Sequence, residues 1–576
     1  MSMIPGKDAP LDDSILHMTA SLQSLGFEIE ETQWLNPLPN VWSVHLYERN
    51  NPLLFSYGKG ASRSAALASA LGEFFERLSC NSFFADYYLG EPVATGEFVH
   101  YPNEKWFQVA GNVLPDEMLD EPTRLHYNMD GELKASMLVD TNSGNRERGI
   151  CAIPFVRQRT GDQVWIPVNI IGNLYRNNGI AAGNSVSEAR VQALSEIFER
   201  HIKNTIISSG ISLPDIPLRV QERYPKTVEV IEALRRQGYV VLVKDASLGG
   251  KFPLVNVSLI NPQDGGCIAS FGAHPKFEVA FERAVTELLQ GRSPENLNGF
   301  PLPVFDITDV ADQANLDAHF VDSTGAVAWD LFATKTDYSF TEWNIEGDTQ
   351  AEFEQLCHLI HKVDMDIYIA DFEHLGVYSC RVIVPGMSEI FPVDKLVWNN
   401  NNAGVELRQP LLRLPALTEQ DAENLLVKLE EGGFSDQQLV VDIIGILSDP
   451  STLWDSLRVG ELKCLLNLKL GELQEALNWS DWIQRSDCPQ GDRASLYRCL
   501  HQCLSFRLDT ERTLDQYRAL LEQIYGVDRV AEVLEMIDGH GLFAGLAEST
   551  MALEGFVQHQ KLLSAYARLQ QAKRAL

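Results

Sequence analysis

Apolar residues along the chain follow two regimes. Up to about residue 400, short β-branched and aromatic runs alternate with segments whose apolar positions recur every three to four residues. The runs predict strands at Leu53–Tyr57, Val164–Ile171, Tyr239–Val243, Leu254–Leu259 and Ile367–Ala370; the periodic segments predict helices over 64–80, 185–204, 226–237, 277–290 and 350–362. Asn261-Pro262-Gln263-Asp264-Gly265-Gly266 is a turn sequence that favours antiparallel pairing of the strands beside it. After about Leu414 strand signals fade, and helical spacing covers 418–431, 435–447, 459–479, 492–507, 510–524, 527–537 and 551–573. The breaks fall at Gly432-Gly433, Asp449-Pro450, Cys488-Pro489-Gln490-Gly491 and Gly539-His540-Gly541. The expectation is a mixed α/β (α+β) domain over residues 1–410 and an all-α domain over 411–576. The latter is either a helical-repeat, tetratricopeptide-like platform or a plain bundle, with Leu462, Leu465, Leu466, Leu468 and Leu470 as core.

Within the first domain one helical phrase is written twice and echoed a third time. Segments 66–77 and 189–200 agree at seven positions without gaps, and 280–291 keeps both alanines and the first glutamate. Each copy sets polar residues at i, i+4 and i+7: Ser69/Glu73/Glu76, Gln192/Glu196/Glu199 and Arg283/Glu287/Gln290. At 100° per residue these lie within an arc of roughly 60°. In the second copy Asn184 and Glu188 extend the stripe upstream. Stacked carboxylates repel, at a few tenths of a kcal/mol per pair in an isolated helix, so the pattern works against local stability unless something cationic compensates. Magnesium takes oxygen ligands, commonly one or two carboxylates with phosphates and waters, so such glutamates suit magnesium ions holding a polyphosphate. Arg77, Arg200 and Arg283 would supply donors to phosphate oxygens. The alternatives are solvated helix faces, or a repeated fold unit whose stripe only makes buried hydrogen bonds.

Small-residue loops precede the three helices: Tyr57–Ser64, Gly179–Ser185 and Phe271–Lys276. They suit close approach to an anion at a helix N-terminus, with Lys59 and Arg63 as phosphate contacts, and equally suit simple capping. No P-loop occurs, and Gly58-Lys59-Gly60 fails Gly-x-Gly-x-x-Gly because the sixth residue of that run is Arg63. A nucleotide site here belongs to neither class.

These residues, in this order, resemble the nucleotide-binding signatures of the YcaO family: Ser69/Glu73/Glu76/Arg77, then Asn184/Glu188/Gln192 with Glu196/Glu199/Arg200, then Arg283/Glu287/Gln290. The stretch from Asp366 to Asp371 and Val384-Pro385-Gly386 looks like the end of that domain, and the helical extension looks like that of the stand-alone bacterial members. The resemblance spans about residues 5–400. It implies an ATP- and Mg2+-dependent enzyme that activates a backbone amide oxygen of a peptide or protein. By the same resemblance Glu73, Glu76, Glu188, Glu196, Glu199 and Glu287 are candidate metal ligands, and Lys59, Arg77, Arg200 and Arg283 candidate phosphate contacts. Ser69, Asn184, Gln192 and Gln290 would orient the nucleotide, and Lys7 and Ser14 resemble N-terminal nucleotide contacts. No residue is assigned to bond-breaking chemistry. Azoline-forming members end in a proline-rich tail, whereas this chain ends Gln570-Gln571-Ala572-Lys573-Arg574-Ala575-Leu576, which argues against heterocycle formation. The resemblance implies instead an accessory role in β-methylthiolation of a small-subunit ribosomal protein by a radical methylthiotransferase. A non-catalytic nucleotide-binding adaptor, and a magnesium-dependent phosphotransferase with a small acceptor, stay open.

Composition narrows the setting. With 47 Lys plus Arg against 79 Asp plus Glu the net charge is −32, which disfavours direct nucleic-acid binding and suits a basic protein partner. Neither a signal peptide nor an 18-residue apolar span is expected, so no membrane role, and a cytoplasmic homodimer is the expected state. Nine cysteines without Cys-x-x-Cys point to a reducing compartment and exclude an iron–sulfur radical centre in this chain. The pairs Cys499/Cys503 and Cys357-His358/His361 offer incomplete ligand sets and read as packing.

Overall fold

The computed structural model describes residues 3–140, 143–395, 404–486, 491–546 and 548–575. The expected break at Cys488-Pro489-Gln490 and the terminal Leu576 lie outside the described residues.

Among the described residues up to 395, three antiparallel sheets organise the chain. β1 (Ile29–Leu38), β2 (Val41–Glu48) and β3 (Asn51–Gly60) form a meander, preceded by helix α1 (Leu11–Ser24) and followed by α2 (Arg63–Ser79). The second sheet runs in the order β4 (Lys105–Phe107), β5 (Ile150–Arg157), β11 (Tyr368–Phe372), β12 (Tyr378–Ile383), β7 (Ile180–Gly183), with β6 (Gln163–Pro167) paired to β5. From β7 the chain enters the long helix α3 (Val186–Ser208). β8 (Val240–Asp245), β9 (Leu254–Ile260) and β10 (Cys267–Ala273) make the third sheet and lead into α4 (Phe277–Leu288). The turn 261–266 joins β9 and β10 in antiparallel register, Cys267 opposite Ile260.

The repeated phrase thus occupies the helix of three strand–helix units, and the strands explain why its alanines recur. A Cβ added at Gly58 would stand 2.0 Å from the carbonyl oxygen of Ala66 and 2.5 Å from the amide nitrogen of Ala70. One at Gly272 would stand 2.3 Å from the oxygen of Ala280 and 2.5 Å from the nitrogen of Ala284. In the second unit Gly183 meets the nitrogen of Ala189 at 2.8 Å. Only glycine on the strand lets the two backbones come this close, and alanine on the helix is small enough to accept it. The helix is thereby fixed in rotation, and its polar stripe cannot turn elsewhere.

Several boundaries differ from the sequence expectation. The strand expected over Val164–Ile171 ends at Pro167, where the chain turns into a short helix at Val168 and a π-turn over Ile171–Tyr175. The helix expected over 459–479 is two, Val459–Leu470 and Leu473–Arg485, divided at Gly471 with φ of 73°. Only Val440–Ile444 is helical within 435–447. The C-terminal region is otherwise helical, around a core holding Leu462, Leu465, Leu466 and Leu468 together with buried Cys499 and Cys503. Cys357 is buried in another core, under α3. Its last helix, α5 (Val557–Arg574), returns to the first unit. Leu562, Tyr566 and Leu569 pack with Phe74, Phe84 and Val99, and the Tyr566 hydroxyl donates to the Val99 carbonyl at 2.5 Å. Among the described residues no helix is long and apolar enough to cross a membrane.

Gly58→Ala is expected to lower the unfolding free energy by roughly 3 kcal/mol or more, because backbone rather than a flexible side chain must move. Gly72→Ala within α2 meets nothing within 4 Å and is expected to be neutral or stabilising by up to about 1 kcal/mol. Urea unfolding of the two variants beside wild type checks both.

Candidate nucleotide site

The three units bring their stripes to one place. Lys59, at the end of β3, pairs with Glu287 of α4. Glu73 and Arg77 of α2 pair at 2.5 Å, as do Glu196 and Arg200 of α3 at 3.0 Å. The Ala273 peptide at the end of β10 ties the third unit to the second: its N–H donates to Glu199 Oε2 at 3.2 Å and its carbonyl accepts from Arg283 at 3.1 Å. Arg283 also donates to Gln192. Arg77 Nη1 donates to the Phe55 carbonyl at 3.2 Å, and the Arg200 Nη1 that meets Glu196 also donates to Asn178 Oδ1 at 3.3 Å.

Electrostatics shows that these groups feel one another. Burial, then the charges of Glu196 and Glu73, push the Glu76 carboxyl well above its ordinary value of 4.5. Burial likewise raises Glu73, against the pull of Arg77 and Lys59. Glu196 is raised by burial, with Glu199 and Glu73 adding to it and Arg200 opposing. Burial draws the Lys59 ammonium down to about 8, against the field of Glu199. The buried Oε1 of Glu196 has no hydrogen bond of good geometry, only the ionic approach of Arg200. Half-buried carboxylates that disfavour their own charge fit a divalent cation, and an all-oxygen donor set fits magnesium. Among the described residues no three acidic, histidine or cysteine side chains converge to hold an ion by themselves.

A second cluster forms at the N-terminus of α3. Glu188, 3% exposed, accepts from Lys7 Nζ at 3.1 Å, the Asp8 N–H at 2.9 Å and Asn184 Nδ2 at 2.9 Å. Ser14 donates to Asn184 Oδ1 at 2.7 Å. Lys7, Ser14, Asn184 and Glu188 therefore come together, but Glu188 stands about 12 Å along the helix from Glu196 and does not join the other five glutamates. Ser69 lies exposed on α2. The third helix stops at Leu288, so Gln290 falls beyond it and does not extend the stripe. Ser62 and Ser185 cap α2 and α3, so the loops before these helices have a structural role. Arg63 turns outward to stack on Trp34 at 4.4 Å rather than toward the cluster.

Two residues at the site were not singled out from the sequence. Lys203, buried, donates to the His319 carbonyl at 2.6 Å, and burial draws its ammonium down to about 8 against Glu199. It lies at i+7 from Glu196 and i+4 from Glu199, so the stripe itself could have revealed it. Asn178, which receives Arg200, carries no sequence signal.

A family model described as YcaO cyclodehydratase, ATP- and Mg2+-binding, matches residues 57–388, and one for the YcaO cyclodehydratase C-terminal domain matches 404–575. The chain is 49% identical over 579 residues to the ribosomal protein S12 methylthiotransferase accessory factor YcaO of Escherichia coli, covering 100% of this chain and 99% of the relative. It is 48% identical over 580 residues, with the same coverage, to an uncharacterized protein of Haemophilus influenzae. Among solved structures it is similar, at 18% identity and a TM-score of 0.40, to YcaO from Methanopyrus kandleri bound with AMPPCP and Mg2+, over 66% of this chain and 92% of that one.

A carboxyl whose folded value is raised favours the fold while protonated and costs stability once pH climbs through that raised value. Glu76→Gln is therefore expected to gain about 1 kcal/mol at neutral pH. The gain should shrink as pH falls toward the ordinary carboxyl range. Urea titrations of both proteins across that pH span measure it.

Proposed function

The chain belongs to the YcaO family, and from that membership we propose that it uses ATP and Mg2+, the family's cofactors, to activate a backbone amide oxygen of a peptide or protein. The observation that carries this reading is the convergence of Lys59, Glu73, Glu76, Glu196, Glu199, Arg283 and Glu287 from three separate strand–helix units. When bound, ATP supplies the electrophilic phosphorus that the amide oxygen attacks, with Mg2+ offsetting phosphate charge. Lys59, Arg77, Arg200 and Arg283 would hold phosphate oxygens, and one or two of the carboxylates among Glu73, Glu76, Glu196, Glu199 and Glu287 would meet the cation, with phosphate and water completing its shell. Lys7, Ser14, Asn184 and Glu188 would hold the nucleoside end, about two turns along α3 from Glu196, and Gln192 would orient the chain of phosphates between them. Ser69 and Gln290 have weaker claims, one being exposed and the other off its helix.

Following the name of the Escherichia coli relative, the proposed target is a small-subunit ribosomal protein and the proposed partner its radical methylthiotransferase. The helical region from about residue 411 would carry partner docking or pairing of two copies, as a repeat-like platform in the cytoplasm. A second reading, a nucleotide-binding adaptor without turnover, is favoured by the size of that helical core.

With Mg2+ and a small-subunit ribosomal protein present, wild type is expected to hydrolyse ATP, and Glu73→Ala and Glu199→Ala to lose about 100-fold or more. Absence of turnover with every partner supplied would move the assignment to the adaptor. Mass spectrometry of small-subunit ribosomal proteins from cells with and without the chain identifies the target.

A further inference from the structure

One helical turn past Glu76, where Cys80 closes α2 by donating its N–H to the Glu76 carbonyl at 3.0 Å, lies a cavity of about 140 Å3 that the nucleotide reading leaves unused. Much of its wall is apolar, with Phe84, Leu89, Ile153 and Tyr566. Arg381 of β12 also lines it and is 4% exposed. This guanidinium has five N–H donors, yet its protein partners are the Arg176 carbonyl at 2.8 Å and the Cys80 thiol. Among the described residues it forms no ion pair with an aspartate or glutamate. Burial pushes the Cys80 thiol up to about 12, so the thiol stays protonated and cannot be the missing counter-charge. A guanidinium out of water without an anion is unfavourable, and a fold keeps one where an anionic group arrives to meet it.

The backbone beside it is also held against preference. Arg176 sits at φ 46° and ψ −118°, a conformation that favours glycine, directly after the π-turn. Its carbonyl is the one Arg381 grips, and its own side chain pairs with Asp86 at 2.8 Å. Strain and π-turns of this kind collect at ligand sites. The wall is braced from behind by Lys573 of α5, which donates to Asn81 Oδ1 at 2.6 Å and the His100 carbonyl at 2.7 Å. Asn177 lines this cavity while its neighbour Asn178 receives Arg200, so the cavity and the glutamate cluster lie on either side of one short segment.

We propose that this cavity binds a carboxylate, held by Arg381 and seated against apolar walls, as borne by a free organic acid or by the acidic side chain of a peptide. Arg meets carboxylates with paired N–H donors, and the walls suit the short carbon stem behind such a group. The site stands whether or not the glutamate cluster turns over ATP, because its occupancy is read by binding alone.

Ligand-observed NMR on the full chain, with butyrate against butyramide and acetyl-Gly-Asp-Gly-amide against its Asn counterpart, tests it. At least one acid is expected to bind about 10-fold or more tightly than its amide. Arg381→Gln should abolish that preference, and Arg381→Lys should keep part of it. Preference confined to the peptide assigns an acidic side chain, and preference confined to butyrate assigns a free acid. Equal binding of acid and amide, no binding of either acid, or a preference that survives Arg381→Gln would overturn the proposal. Should that variant fail to fold, a cavity-filling Leu89→Phe takes its place, and retained acid preference there overturns the proposal in the same way.

Discussion

Close backbone contact between a strand glycine and a helix alanine is the constraint from which the site follows. Gly58 against Ala66 and Ala70, Gly183 against Ala189, and Gly272 against Ala280 and Ala284 seat three helices on their strands at distances that leave no room for a Cβ on the strand. With rotation fixed, the polar stripe of each helix points where its strand dictates. Glutamates that would separate in solution are held near one another, and the desolvation that raises Glu73, Glu76 and Glu196 is the energetic trace of that confinement. The site is thus a place where packing outweighs local electrostatic preference, as expected where charge is kept for a ligand.

Much of this was legible because the repeat joins two periodicities in one phrase. The apolar positions announced a packed face and the polar ones a second face, and both proved real in α2, α3 and α4. The limits are equally physical. Helix ends are set by local hydrogen bonding, so Gln290 looked like part of a stripe that stops at Leu288. A glutamate step continued upstream to Glu188, but along a straight helix two turns of separation place it with Lys7 and Asn184. Arg63 reads as a phosphate contact by loop position alone, and the exposed face of Trp34 takes it instead. Asn178 and Arg381 matter only through contacts made far along the chain, which no local pattern encodes.

Strands were legible where they ran as apolar stretches, as in β9, and hidden where polar residues alternate, as in β1 and β2. Pro167 ended β6 early, and an αL glycine at 471 split a helix whose apolar spacing ran on without interruption. Periodicity reports which face is buried; it does not report where the axis bends.

The return of α5 to the first unit joins the two ends of the chain in one core. Tyr566 and Lys573 complete contacts with Val99, Asn81 and His100, residues that leave the ribosome more than 450 positions earlier. The first unit consequently waits, during translation, for α5, made long after it, before its core can close. A nascent chain stalled short of α5 exposes the apolar surface of Phe84 and Val99 that Tyr566 and Leu569 otherwise cover, the kind of transiently open surface that invites aggregation.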